Sequence, residues 1–319
     1  MTNIIELHGL AKRYPAARGT GNGGIDAVKG LDLAIRQGEI FGFLGPNGAG
    51  KTTTLAMLAC LLTPTSGTAT IGGMDVVKQS GEVKKHIGLV PQDLALYPTL
   101  SAWDNLLFFG RIYGLRGKEL NARVQWALDL VGLADRARDA IQTYSGGMKR
   151  RINIAAGLLH KPEVLFLDEP TVGVDPQSRN AIFENVEQLN RDGLTVFYTT
   201  HYMEEAQRLC HRVAIIDQGS IVALNAPQAL IESLGGGMIH IGLANRRQEI
   251  EQEARRLPSV KTIRQMDGIL QVETVRAQEG LIGLLEIANR LDAHVTSLEI
   301  FEPNLETVFL RLTGKRLRD

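Results

Sequence analysis

The sequence predicts an α/β protein with a parallel sheet, an inserted helical block and a small α+β tail. Three observations carry this. Apolar runs of strand length, such as Glu39–Leu44, Val164–Leu167 and Leu194–Thr199, alternate with stretches of helical composition. That is the pattern of a parallel sheet covered on both faces. Between about 93 and 161 the strand signals stop and helices follow one another. Beyond Gly235-Gly236-Gly237, the best linker in the chain, the order is strand, helix, two strands, helix, strand, as in a ferredoxin-like domain. The expected division is 1–234 for the larger unit and 235–319 for the smaller.

In chain order, Ile4–Leu10 and Ala27–Ile35 alternate apolar with polar residues, as half-buried strands do. Four glycines between Pro15 and Asp26 predict a flexible loop. Glu39–Leu44 runs into Gly45–Thr53, and Leu55–Leu62 reads as a helix stopped by Thr63-Pro64. Turn residues Thr65-Ser66-Gly67 and Gly72-Gly73 bracket a short strand, Thr68–Ile71, and Ile87–Val90 is another, ending at Pro91-Gln92. Ser101, with Asp104 three residues on, caps a helix over Ala102–Tyr113. Glu119–Val131 stops at Gly132, and Lys149–Leu159 stops at Lys161-Pro162. The sheet then resumes, with helices at Arg179–Arg191 and Met203–Leu209 between its strands. Arg212–Asp217 and Ser220–Leu224 pair around Gln218-Gly219, and Ala226–Leu234 is a helix. The tail elements fall at 238–243, 246–256, 260–265, 269–275, 279–291, 294–300 and 304–313.

Composition narrows the function. Lys+Arg and Asp+Glu both number 35 in a chain of 319 residues, so no basic excess marks a nucleic-acid binder, and no nucleic-acid partner is expected. At 44 % apolar residues the chain can fill a core. Cys60 and Cys210 lack metal-type spacing and read as small buried hydrophobes in a reducing compartment. Met1–Leu10 contains Glu6 and no long apolar stretch, so no signal peptide is expected. The charge-free run Thr52–Met74 has an apolar core of only Leu55–Leu62, too short for a bilayer. Any membrane role must come through a partner.

Gly45-Pro46-Asn47-Gly48-Ala49-Gly50-Lys51-Thr52-Thr53 satisfies GxxxxGK[ST] between a strand and a helix. Its glycines let successive backbone N–H groups turn inward around a phosphate. Those donors sit at a helix N-terminus, where the dipole favours an anion. Lys51 supplies a point charge for the outer phosphates, and the Thr52 hydroxyl can ligate Mg²⁺. Asp168 ends an apolar strand well after this loop, the place for a carboxylate that holds Mg²⁺, usually through water. Glu169 beside it can act as a general base on a water, worth roughly 10²–10⁴-fold.

Tyr144-Ser145-Gly146-Gly147-Met148-Lys149-Arg150-Arg151 resembles the signature of ABC-type ATPases. Asp168-Glu169-Pro170-Thr171, Gly173-Val174-Asp175-Pro176 and Thr199-Thr200-His201 follow in that family's order. Gln92 lies where the family places its Q-loop, and Tyr14 where it places an adenine-stacking aromatic. The resemblance covers residues 4 to about 230. It implies a P-loop NTPase cassette with a parallel-sheet core, a β subdomain and a helical subdomain at about 93–161. ATP and Mg²⁺ are the implied ligands. Two cassettes, a second copy or a homologous one, would close head to tail on two ATP molecules. Ser145, Gly146 and Gly147 of one would contact the γ-phosphate held by the other. Gln92 would meet Mg²⁺ and the attacking water, and His201 the γ-phosphate. Asp175 would cross the dimer interface.

Two signature positions depart from the common pattern, with Tyr144 and Met148 where many cassettes have Leu and Gln. The tail, Glu302 to Gly314, looks like the C-terminal segment of ATPases of the daunorubicin-resistance type. Those power exporters whose membrane permeases are separate chains. The resemblance therefore implies an exporter ATPase in the cytoplasm, peripheral at the inner face of the cell membrane through its permease. The alternative is a soluble member of the family acting on a macromolecular assembly such as the ribosome or DNA. One cassette, no heptad arm and no basic excess speak against it. A phosphate-loop kinase would have no use for the signature or for His201.

Overall fold

Three sheets organise the computed structural model, which describes residues 2–15, 24–234, 236–266, 269–301 and 303–313. Most of the glycine-rich stretch before Asp26, Gly235 of the linker, and Glu302 and Gly314 of the tail lie outside the described residues.

The first sheet grows from β1 (Asn3–Tyr14) and β2 (Ile25–Arg36), an antiparallel pair. Alternation decides its orientation: Ile5, Leu7 and Leu10 of β1 and Leu31, Leu33 and Ile35 of β2 are buried. β3 (Ile40–Leu44) is buried at every position and belongs to the second sheet, as an unbroken apolar run should. α1 (Lys51–Leu58) follows the glycine-rich loop and stops four residues earlier than expected. There Cys60 takes a positive φ of 58°, which ends the helical path before Thr63-Pro64. β4 (Ser66–Ile71) returns to pair with β1, and β5 (Met74–Asp75) pairs with β4. α2 (Ser80–His86) went unpredicted because Val83 is its one buried residue, too little to show a period.

β6 (Ile87–Val90) re-enters the second sheet. Then come α3 (Ala102–Ile112), α4 (Gly117–Leu130) and α5 (Gly146–Leu158), with a core that includes Leu106, Leu120, Val124, Leu128, Ile152 and Leu159. Ser101 caps α3 as predicted, its side chain accepting from the Asp104 N–H at 3.0 Å. β7 (Val164–Asp168), α6 (Pro176–Arg191), β8 (Thr195–Thr200), α7 (Met203–Leu209), β9 (Arg212–Asp217) and β10 (Ser220–Asn225) complete the unit. The second sheet runs β10-β9-β3-β8-β7-β6, parallel except for β10 at one edge. Phe197 on β8 packs its ring 6.0 and 5.4 Å from Phe41 and Phe43 on β3, and 5.6 Å from Phe166 on β7. These aromatics lock the three central strands together.

The second unit contains α8 (Pro227–Ser233), β11 (Met238–Leu243), α9 (Arg247–Ala254), β12 (Val260–Met266), β13 (Ile269–Thr274), α10 (Ala277–Arg290), β14 (Val295–Phe301) and α11 (Leu305–Thr313). Its sheet is antiparallel in the order β12-β13-β11-β14, the ferredoxin-like arrangement of a βαββαβ chain. The division falls between Ala226 and Pro227 rather than after Leu234. The reason is the packing of α8 against α11, with Leu230 and Ile231 of α8 and Leu305, Val308 and Phe309 of α11 all buried. Gly236 and Gly237 lie inside the second unit.

Accordingly, a fragment of residues 1–226 should be soluble and unfold cooperatively. A 1–234 fragment keeps α8 without α11 and should aggregate more readily through Leu230 and Ile231. Thermal unfolding and light scattering of both fragments check this; a soluble 1–234 fragment beside an insoluble 1–226 fragment would refute it.

Candidate functional site: a phosphate loop between three strand ends

β3, β8 and β7 lie side by side and parallel, so their carboxyl ends open on one edge of the sheet. Leu44 stands beside Thr200, and Asp168 beside Thr199. The loop after β3, the histidine after β8 and the carboxylates after β7 therefore meet. Ligands of open α/β sheets bind at this edge.

The loop is shaped by close approach as much as by backbone freedom. A Cβ at Gly45 would stand 2.3 Å from the Ile216 carbonyl oxygen, and one at Gly50 2.5 Å from that of Ala27, where φ is also +107°. Gly50 leads directly into α1, whose first N–H groups have no partner within the helix. Lys51 is 4 % exposed, and its Nζ donates to the Gly45 and Pro46 carbonyls at 2.8 and 3.2 Å. The same Nζ lies 3.1 Å from Glu169 Oε1. Glu169 Oε2 lies 3.1 Å from His201 Nδ1, so one buried carboxylate joins Lys51 to His201. Glu169 sits at φ 45°, a left-handed backbone held in place by its N–H bonds to the Thr199 hydroxyl and carbonyl.

Asp168 is buried beside this group. It accepts from the Thr199 hydroxyl at 2.6 Å and bonds to the Thr52 side chain. Burial pushes its carboxyl above the usual range, while the Thr199 and Thr52 hydrogen bonds and the Lys51 charge pull the other way. Thr52, Asp168 and the Gln92 side chain carry only oxygen donors toward a metal, the set that suits Mg²⁺. No cluster of three or more His, Cys, Asp or Glu side chains fit to hold a metal exists among the described residues.

Other predicted residues stand apart from this group. Gln92 follows β6, and its exposed side chain makes no hydrogen bond among the described residues. Tyr14 ends β1, 39 % exposed, with Lys12 Nζ 5.6 Å from its ring. Ser145 caps α5, its side chain accepting from the Met148 N–H at 3.2 Å. Gly147 is required by space, since a Cβ there would meet Ser178 Oγ at 2.1 Å. Asp175 caps α6 through the Ser178 N–H at 2.9 Å, and these hydrogen bonds lower its carboxyl's pKa. No hydrogen bond or ion pair among the described residues joins Ser145, Gly146 or Gly147 to Lys51, Asp168, Glu169 or His201. Tyr144 fills its departure from the common pattern by burying its ring and donating its hydroxyl to the Arg136 carbonyl at 2.6 Å.

Glu205 and Arg150 are buried charges near these residues that escaped the sequence reading. Glu205 of α7 accepts from Thr171 at 2.7 Å and from Tyr198 and Thr200 at 3.0 Å each, with Arg179 3.7 Å away. It ties the segment after Glu169 to the strand that presents His201. Arg150 of α5 donates to the Pro91 and Gln92 carbonyls. In sequence, Glu204-Glu205 and Lys149-Arg150-Arg151 look like solvated helix faces, and nothing local distinguishes the buried member.

This geometry defines a phosphate-loop nucleotide-binding protein. The ABC transporter family model matches residues 28–172. Over 92 % of the chain and 95 % of the relative, the sequence is 46 % identical to the linearmycin resistance ATP-binding protein LnrL of Bacillus subtilis (strain 168). It is 38 % identical to the daunorubicin/doxorubicin resistance ATP-binding protein DrrA of Streptomyces peucetius, over 98 % of the chain and 93 % of the relative. Among solved structures, it matches the post-hydrolysis dimer of the ATP-binding cassette MJ0796 bound to ADP and Pi with a TM-score of 0.63 at 28 % identity, over 70 % of this chain and 98 % of that one. The chain belongs to the ABC transporter family and is one of its ATPases. The expected cassette fold and the likeness to resistance-type ATPases are both borne out.

Asp168→Asn should raise the unfolding midpoint near neutral pH, because it removes a buried charge whose ionised form burial disfavours. A folded pKa above the unfolded one means that Asp168 contributes stability at low pH and loses it as pH rises through the folded value. The advantage of Asn should therefore shrink as pH falls through that value. Urea midpoints across a pH series test this; an equal or lower midpoint at neutral pH would refute it.

Proposed function

We propose that this chain is the ATP-hydrolysing subunit of an exporter, driving a separate integral-membrane permease from the cytoplasmic face. The names of its relatives, which speak of resistance to linearmycin and to daunorubicin/doxorubicin, support export. Among the described residues no helix is long and apolar enough to cross a membrane, in keeping with a permease on another chain. Two cassettes, this chain with a copy of itself or a homologue, close head to tail on two ATP molecules. No nucleic acid takes part.

The single observation that carries the mechanism is the bridge of Glu169 between Lys51 and His201. Lys51 and Glu169 meet at the phosphate loop, and an incoming γ-phosphate competes with Glu169 for both of its partners. On ATP binding, Lys51 turns from the carboxylate and the Gly45 and Pro46 carbonyls to the outer phosphates, joined by the backbone N–H groups from Asn47 to Thr53. Tyr14 stacks on the adenine. His201 holds the γ-phosphate. Glu169, released from Lys51, orients a water and takes its proton as that water attacks the γ-phosphorus; the bond to the β–γ bridging oxygen breaks and ADP leaves with inorganic phosphate as the other product. Thr52, Asp168 and Gln92 would hold Mg²⁺, which neutralises charge on the phosphates. The partner's closure brings the hydroxyl of the Ser145 position and the N–H groups of the Gly146 and Gly147 positions to the same γ-phosphate, at the N-terminus of α5. Asp175, exposed at the start of α6, faces the partner across the interface. ATP closes the pair, and hydrolysis with product release reopens it.

Two variants test this reading. Glu169→Gln should bind ATP and accumulate as a closed dimer with hydrolysis lowered about 10²-fold or more, since the amide cannot take the proton and one negative charge beside the γ-phosphate is gone. Ser145→Arg should bind ATP as a monomer and fail to dimerise. Sedimentation with and without ATP and Mg²⁺, with phosphate release, reads both. A Glu169→Gln protein that hydrolyses ATP at the wild-type rate would overturn the assignment of the base.

A further inference from the structure

Arg150 lies just over one turn beyond Gly146-Gly147 on α5, and its side chain is 5 % exposed. Its guanidinium donates to the Pro91 carbonyl at 2.8 Å through one arm and to the Gln92 carbonyl through the other. One turn further on, Asn153 is 3 % exposed, and its side-chain oxygen accepts from the Ala95 N–H at 3.3 Å. Helix α5 thus grips the segment after β6 at three backbone groups. Arg150 forms no ion pair among the described residues, although Asp93 and Asp168 lie near enough to favour its charge. A guanidinium buried against carbonyls alone is an expensive way to hold a loop. Its rigid fork is also the side chain suited to reaching two successive carbonyls at once.

The grip falls on the backbone of Gln92 and leaves its side chain exposed, with no hydrogen bond among the described residues. That is the disposition expected of a group whose base is fixed and whose tip must reach a ligand. The role of Gln92 rests on the function proposed above.

We propose that Arg150 is a positioning residue for hydrolysis, anchoring Gln92 to the helix that begins at the signature residues. Through α5, the end that meets the partner's ATP and the glutamine that serves the chain's own ATP move as one body. A shift of α5 on closure then carries Gln92 toward the site without any contact between Arg150 and nucleotide.

A double-mutant cycle on the full chain tests this, using Arg150→Met, Gln92→Ala and the pair. Arg150→Met should lower kcat by about tenfold, some 1.4 kcal/mol on the barrier, with ATP affinity of the monomer within about twofold of wild type. The pair should be no slower than Gln92→Ala alone, because Arg150 acts through Gln92. Arg150→Lys, which reaches one carbonyl, should recover part of the loss. It also serves for the same cycle should the Met variant fold poorly in a thermal melt. Losses that multiply in the pair, a fall in ATP affinity matching the fall in kcat, or an unchanged kcat in Arg150→Met would each overturn the proposal. Sedimentation of Glu169→Gln with ATP reports on head-to-tail closure independently of this cycle, so the two ideas fail separately.

Discussion

A buried positive charge with a movable partner is the constraint on which the rest depends. Lys51 stands at the head of α1 with almost no exposure, so it must always be neutralised by something. Here Glu169 and two loop carbonyls do this. Breaking a buried pair by removing one partner costs about 3–5 kcal/mol. In the function proposed here, the γ-phosphate would be a replacement partner, and the carboxylate it displaces would be the group placed to act on water. On that proposal, binding and catalysis share one interaction, exchanged between two anions.

The Lys51–Glu169–His201 group holds only if the three strand ends stay in register. The Phe41, Phe43, Phe166 and Phe197 cluster holds β3, β8 and β7 together from within. Thr199 holds them at the edge, since its hydroxyl serves both Asp168 and the Glu169 N–H. Glu205 does the same one layer deeper, collecting the hydroxyls of Thr171, Tyr198 and Thr200. A hydrogen-bonded network of this kind rigidifies a site, and losing its acceptor would leave several buried hydroxyls without partners. The strained backbone at Glu169 persists because the surrounding bonds over-determine it.

The helical block differs in kind. Its core is packed by its own helices, and its polar links reach outward through α5 to the segment carrying Gln92. A body with its own core and a few directed hydrogen bonds at its border can shift as a unit. In the second unit the apolar interior lies between sheet and helices α9 and α10, while α8 and α11 cover each other. Among the described residues, none of the phosphate-loop site comes from it.

Sequence alone determined the elements whose chemistry is local. The glycines of the phosphate loop, the cap at Ser101, the acidic pair after an apolar strand and the signature motif all report on conformations or groups set within a few residues. The βαββαβ order of the tail was legible for the same reason, since periodicity and turn residues mark each element. Tertiary structure decided what depends on distant partners. The pairing of Lys51 with Glu169 spans 118 positions of sequence, and the choice of Arg150 over Lys149 or Arg151 as the buried arginine depends on where the β6 segment lies. The boundary at Ala226 was likewise set by α11 closing over α8. A triple glycine marks a flexible backbone, but which helix belongs to which core is fixed by apolar surfaces that only folding brings together.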